Sequence, residues 1–181
     1  MFQRLFGHRR QANRLIADAL YEKIVAAARQ PCFYADWNVP DSPLGRFEML
    51  SLHMFLFLHR MRGEEGTSRE VAQELTDTFF LDIDHSLREL GISDVGVPKR
   101  MKKLARMFYG RVESYADALE RGDRAALATA LARNVRPDAA SWPEGDALAG
   151  YAMEADALLA GQASQDIWTG EIRFPAAGAA G

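Results

Sequence analysis

The sequence predicts an all-α fold, a single-domain helical bundle of about seven helices. Three observations lead there. Apolar residues recur at helical spacing over long stretches, glycine, proline and capping side chains separate those stretches, and nothing reads as a credible sheet. With 181 residues the chain can bury a sizeable core without staples. Its 48% hydrophobic and 26% charged residues are ordinary for a globular domain. The domain is expected at 12–174, between a basic N-terminal arm at 1–11 and a flexible Ala/Gly tail at 175–181.

Taken in order, the first helix is expected from Ala12 to Arg29, with Leu15, Ile16, Leu20, Ile24 and Ala27 on one stripe and Pro31 closing it. Residues Cys32 to Asp41 read as a loop carrying Phe33, Tyr34 and Trp37. Three aromatics in so short a connection must be tucked under the domain or shown to a partner. Ser42-Pro43 starts a second helix, because serine caps and proline suits the first helical turn. That helix, to about Arg62, is apolar nearly all round from Met49 to Leu58 and belongs at the centre of the fold. After a turn at Gly63 to Gly66, Thr67-Ser68-Arg69-Glu70 reads as a capping box ahead of Val71, Ala72, Leu75 and Phe79. Asp84 caps a short helix ending at Gly91. Pro98 opens the longest helix, to about Arg121, with Met101, Leu104, Phe108, Val112, Tyr115 and Leu119 on one side. Asp123 caps a helix through Arg133. Trp142-Pro143 begins a last one, whose stripe from Leu148 to Leu159 packs internally or against a second copy, and Glu171 to Phe174 alternates like a short extended piece.

Net charge of −3 gives no global attraction to nucleic acid or membrane, but the charges are unevenly placed. Arg4, His8, Arg9, Arg10 and Arg14 crowd the start, Lys99, Arg100, Lys102, Lys103 and Arg106 form a second basic cluster, and the charge after Pro137 is nearly all acidic. Each basic run is read either as a solvated helix face or as a polar partner surface. No segment reaches the roughly 20 apolar residues of a membrane-spanning helix. The basic start lacks a following apolar stretch with a cleavage site, so the protein is expected to stay where it is made. Cys32 is the single cysteine, which excludes an intramolecular disulfide.

Catalytic and metal-binding patterns find no support. His8, His53, His59 and His85 make no H-E-x-x-H or Glu-x-x-His pair, and Asp82, Asp84 and His85 read as capping and dipole compensation rather than ligands. No G-x-S-x-G or phosphate-binding glycine loop occurs. Cys32 reads as a small buried thiol. No enzyme activity, cofactor or metal is expected. His53 lies in the most apolar helix, where an imidazole either hydrogen-bonds within the core or serves a partner-facing or haem-sensing role. Arg46 and Glu48 open that helix and are expected to pair with Arg88, Glu89 or Arg111.

Between Pro40 and Leu119 the chain carries Leu44-Gly45-Arg46-Phe47-Glu48-Met49-Leu50 with His53, Leu87-Arg88-Glu89-Leu90-Gly91 with Asp94, Val97-Pro98-Lys99 through Lys103, and Phe108-Tyr109-Gly110-Arg111 with Tyr115. In these residues, in this order and spacing, it resembles the ubiquinol–cytochrome c reductase (cytochrome bc1 complex) assembly chaperone family. The resemblance implies an all-α protein that binds newly made cytochrome b and protects it until its complex assembles. It also implies possible contacts with the ribosome and with a second small assembly factor. The short N-terminal arm points to a bacterial-type member in the cytoplasm or peripheral on the cytoplasmic face of the inner membrane.

A chaperone of that kind needs an apolar or aromatic surface and no catalytic residues. Phe33, Tyr34, Trp37, Phe47 and Tyr109 are the client-binding candidates, with core packing as the alternative for each. Gly45, Arg46, Glu48, His53, Arg88, Glu89, Gly91, Asp94, Gly110 and Arg111 are the residues that carry the resemblance. The alternative function is a basic-surface helical module that binds ribosomal RNA or anionic membrane through Lys99, Lys102, Lys103 and Arg106.

Overall fold

The computed structural model describes residues 2–178, with side chains from residue 11 onward. Among them the chain forms eight helical segments and no strand: α1 (Phe2–Ala28), α2 (Pro31–Ala35), α3 (Pro43–Arg60), α4 (Thr67–Glu89), α5 (Val97–Glu120), α6 (Arg124–Val135), α7 (Gly145–Ala160) and α8 (Ser164–Trp168). The all-α reading holds. Helix α3 is the axis. It packs against α1, α7, α5 and α6, while α4 lies along α1 and α5 and α6 pairs with α7. Every residue from Phe47 to Phe57 except Leu50 is buried, as expected of a segment with no polar face.

The start of α3 is set by backbone chemistry. The Ser42 hydroxyl accepts from the Gly45 amide at 3.1 Å, and Pro43 occupies the first turn. Gly45 is required there by a close approach: a Cβ would stand 1.9 Å from the carbonyl oxygen of Pro40. At the far end of α4, Gly91 adopts φ 78°, the Gly91 amide donates to Arg88 and the Ile92 amide to Leu87, a Schellman closure that glycine favours.

Several boundaries differ from the sequence reading. Helix α1 begins at Phe2, so its backbone runs through the segment expected as an arm, while the side chains of Arg4, His8, Arg9 and Arg10 lie outside the described residues. The expected loop after Pro31 opens with the single turn α2. The capping box at Thr67 is displaced: Gly66 takes the cap position and Thr67 is already helical. Asp84 starts no new helix. The stripe Val71, Leu75, Phe79, Ile83 and Leu87 stays buried without interruption, so α4 continues through Asp84, which pairs one turn on with Arg88 at 2.7 Å. Helix α7 starts at Gly145, because the Trp142 ring lies over that residue's α-carbon and the chain turns before it. Residues 171–174 are irregular, and Ile172 is buried between exposed neighbours. The tail expected to be flexible is held as far as Ala177: the Gln30 amide donates to the Pro175 carbonyl and accepts from the Ala177 amide. Residues 179–181 lie outside the described residues.

Two sets of ionisable side chains are buried at α3 among the described residues, an ion pair and a histidine, beside Ser51, whose hydroxyl makes no hydrogen bond. Glu48 on α3 and Arg111 on α5 form a buried ion pair, with Arg111 also placed 5.9 Å over the Phe47 ring. Of the two alternatives to Arg111 expected from sequence, neither Arg88 nor Glu89 reaches this helix; Arg88 bridges Asp84 and Asp94, and Arg46 pairs with Asp41 at 2.7 Å. Burial pushes the Glu48 carboxyl up to about 7, against the opposing pull of Arg111. One Glu48 oxygen and the Arg111 Nε make no further hydrogen bond.

The second group is His53, fully buried. Its Nδ1 lies 2.7 Å from the Met49 carbonyl and its Nε2 lies 2.8 Å from the Tyr151 hydroxyl. A carbonyl can only accept, so Nδ1 carries the proton and Tyr151 donates to Nε2. Tyr151 in turn accepts from Gln30 at 3.3 Å. This relay ties α3 to α7, to the end of α1 and to the C-terminal segment, whose Phe174 ring rests 5.1 Å from the imidazole. Burial drives the His53 pKa down to about 4, so the ring is neutral at pH 7.

Two stability measurements check these assignments. Replacing Glu48 alone by Met leaves Arg111 buried and unpaired and should cost about 3–5 kcal/mol in urea unfolding, while Glu48→Met with Arg111→Met recovers most of the loss. A double variant as unstable as the single one would refute the pair. For His53 the folded pKa lies below the unfolded one. Its contribution is therefore present above about pH 6.5 and is lost as pH falls toward 4, a change of about 3 kcal/mol. The stability gap between wild type and His53→Gln should shrink by that amount between pH 7 and pH 4, and the opposite-signed Glu48 titration, common to both proteins, drops out. A gap independent of pH would contradict a buried neutral imidazole.

Candidate client-binding surface

Local packing decides which aromatic candidates can meet a partner. In the segment after α1, the Phe33 amide and carbonyl are engaged, Val39 donating to the Phe33 carbonyl at 2.9 Å, and the Phe33 ring is fully buried. It packs at 5.0 Å on Tyr151, 5.5 Å on Trp37 and 5.7 Å on His53. Trp37 is half-buried over the same Tyr151, and its carbonyl accepts from the Trp142 indole at 2.9 Å. Phe47 is buried against Phe79, with ring centroids 6.4 Å apart. Phe33 and Phe47 are therefore corrected from surface candidates to core residues. The reason is volume: the bundle needs large rings where α3 meets α1, α4 and α7.

Tyr34 is half-buried, its hydroxyl donating to Ala28 at 3.0 Å, and it borders an open hollow with Arg29, Asp41 and Arg46. Tyr109 is the exposed member of the set, at 58%. It stands on α5 beside half-buried Phe80 of α4 and against Phe108, so an aromatic edge reaches solvent there. Leu90 and Val95, in and next to the α4–α5 turn, are also exposed, at 57% and 90%. Sequence reasoning missed both. The signal was available in Val95, an aliphatic residue flanked by Asp94 and Gly96 with no periodic partner.

The residues that carry the family resemblance turn out to hold the fold. Gly45 permits the approach of Pro40, Glu48 and Arg111 form the buried pair, His53 anchors the relay, Arg88 ties Asp84 and Asp94 across the turn, and Gly91 closes α4. Glu89 and Gly110 are exposed, and a side chain at Gly110 would meet open space.

Lys99, Lys102, Lys103 and Arg106 are exposed on α5 opposite the face that buries Val97, Phe108, Arg111 and Tyr115. With Arg100 they have no ion-pair partner among the described residues, whereas Arg60, Arg62, Arg88, Arg111, Arg121 and Arg124 each do.

The described residues hold no group of three metal-ligating side chains. Cys32 is raised above its ordinary pKa by burial and by a hydrogen bond with Asp36, which keeps it a thiol. His59, half-buried, is 2.8 Å from Asp156. No helix among the described residues is long and apolar enough to cross a membrane.

Comparison with known proteins agrees with this architecture. The solved crystal structure of the Cbp3 homolog from Brucella abortus superposes with a TM-score of 0.88 at 54% identity, covering 97% of each chain. The ubiquinol-cytochrome-c reductase complex assembly factor 1 of Xenopus laevis is 25% identical over 103 residues, 57% of this chain. The chain spans about half the length of that relative, the match covering 51% of it. Residues 35–174, from the end of α2 to the C-terminal segment, match the family model described as ubiquinol-cytochrome C chaperone. The chain belongs to the ubiquinol–cytochrome c chaperone family.

Proposed function

We propose that this protein is a non-catalytic assembly chaperone that binds newly made cytochrome b and supports assembly of ubiquinol–cytochrome c reductase. The observation that carries the reading is the extent of the family match, residues 35–174, which takes in the whole bundle except α1 and most of α2 rather than a single motif. Its chemistry suits a holding role. Among the described residues the one fully buried histidine is neutral and spent on internal hydrogen bonds, and the buried carboxylate faces an arginine rather than a cavity. The apolar side chains left to solvent near the α4–α5 turn offer contacts for an apolar client segment. Of the five aromatic candidates, Tyr109 is the most exposed, which supports it as a client contact, while Tyr34 and Trp37 are half-buried. Contacts with a ribosome or a second small assembly factor, and action on the cytoplasmic face of a membrane, belong to the same proposal as partners to be sought.

Deleting the protein should lower cytochrome b and complex III while the other respiratory complexes stay at normal levels; unchanged cytochrome b would sink the reading. Cross-linked capture from native membranes with the full chain should enrich cytochrome b. At residue level, Tyr109→Asp should weaken that capture while changing stability by no more than about 0.5 kcal/mol, as expected of an exposed site. Phe33→Ala should instead cost about 3–5 kcal/mol by opening a cavity in the core. Equal effects of the two substitutions on folding would show that the burial assignments are wrong.

A further inference from the structure

From Val95 to Val112 the chain carries Lys99, Arg100, Lys102, Lys103, Arg106 and Arg111 and no acidic residue. Arg111 is taken inward by Glu48. The other five remain exposed and without an ion-pair partner among the described residues, so their charge projects into solvent unneutralised. Their spacing adds direction. Positions 99 and 102, 99 and 103, 102 and 106, and 103 and 106 are three or four residues apart, which places the four on one face of α5, and that face is opposite the buried stripe. Val95 stands four residues before Lys99, at the mouth of the helix, and is 90% exposed; Leu90, in the same connection, is 57% exposed. The nearby acid Asp94 is engaged by Arg88.

We propose that this ridge is a docking surface for an anionic lipid bilayer, with the basic face of α5 lying on the headgroups and Val95 entering the boundary between headgroups and acyl chains. A cluster of four to eight Lys or Arg is the recognised electrostatic footprint for anionic lipid, and an aliphatic tip beside it supplies the apolar component of interfacial binding. RNA would use the same charge, but the side chains exposed at the start of the ridge, Val95 and Leu90, are aliphatic and give nothing to a phosphate backbone or a base, and the aromatic at its far end, Tyr109, lies against Phe80 and Phe108. The observations therefore favour the bilayer. Docking at this ridge goes beyond the client reading and uses no client, so either can fail without the other.

The test is flotation of the full chain with vesicles of 30% phosphatidylglycerol and 70% phosphatidylcholine, against vesicles of phosphatidylcholine alone. Binding should require the anionic lipid and should weaken steeply between 0.05 and 0.5 M salt, as the screening length falls from roughly 14 Å to roughly 4 Å. The variant with Lys99, Lys102, Lys103 and Arg106 all changed to Gln should partition at least about tenfold more weakly. Val95→Ser should lose about threefold in a manner that salt does not change. Arg133→Gln, which removes an exposed charge on α6, should bind as wild type. The basic residues near the N-terminus are common to all these proteins, so binding through them would leave the quadruple variant unaffected and would overturn the proposal. Absence of binding to anionic vesicles overturns it too, and so does a structured RNA that binds through these four residues when vesicles do not.

Discussion

The fold depends on one constraint: α3 has almost no face left for water. Once residues 47–57 are enclosed, a polar group on them has only the protein to bond with. Glu48 finds its partner on α5 and His53 on α7, while the Ser51 hydroxyl between them makes no hydrogen bond, so it is the two ionisable residues of this stretch that choose which neighbours the central helix can have. An apolar helix alone would accept several rotations and several partners. The ion pair and the imidazole relay admit one, because any other leaves a buried charge or an unfilled ring nitrogen. The relay then continues through Tyr151 to Gln30, whose amide holds Pro175 and Ala177, so the C-terminal segment closes over the same histidine that orders the centre.

This explains how much was legible in the sequence. The central helix could be read directly, since an all-round apolar segment of that length has only one place to go. The cap at Ser42 could be read too, because the serine and the proline are local signals. The long reach of the relay could not: Tyr151 is 98 residues from His53, and no local pattern connects them. The misread boundary at Asp84 has a tertiary cause. Asp84 is a good capping side chain in isolation, but packing of Val71 through Leu87 on α1 and α5 overrides it and makes one helix where local chemistry suggested two.

The candidate site was legible only in part, for a related reason. Sequence distinguishes aromatic from polar residues, yet it does not say which side of a turn faces the core. Phe33 and Tyr109 look alike as candidates. Phe33 follows α1 into the cleft between α3 and α7 and is sealed by Trp37 and Tyr151, whereas Tyr109 sits one position past the buried Phe108 and is carried outward by the helical turn. The basic cluster was the easier case, since a run without any acidic residue has no local partner to neutralise it.

A division of labour follows between the two kinds of residue that α3 and α5 bring together. The side chains that carry the family resemblance are mostly inside or at turns, so their effect on function passes through the shape of the bundle. Glu48 and Arg111 are the clearest instance: they fix α5 by its inner face, and in doing so they orient the outer face that carries Lys99, Lys102, Lys103 and Arg106. An interior ion pair need not add net stability over an apolar pair of the same size. What it supplies here is rotational register, for a slip of one residue along α5 would turn each position by about 100° and exchange part of the basic ridge for Leu104 and Met107 in one direction or for Met101 and Ala105 in the other. The buried pair and the exposed ridge are thus two sides of one constraint on the same helix.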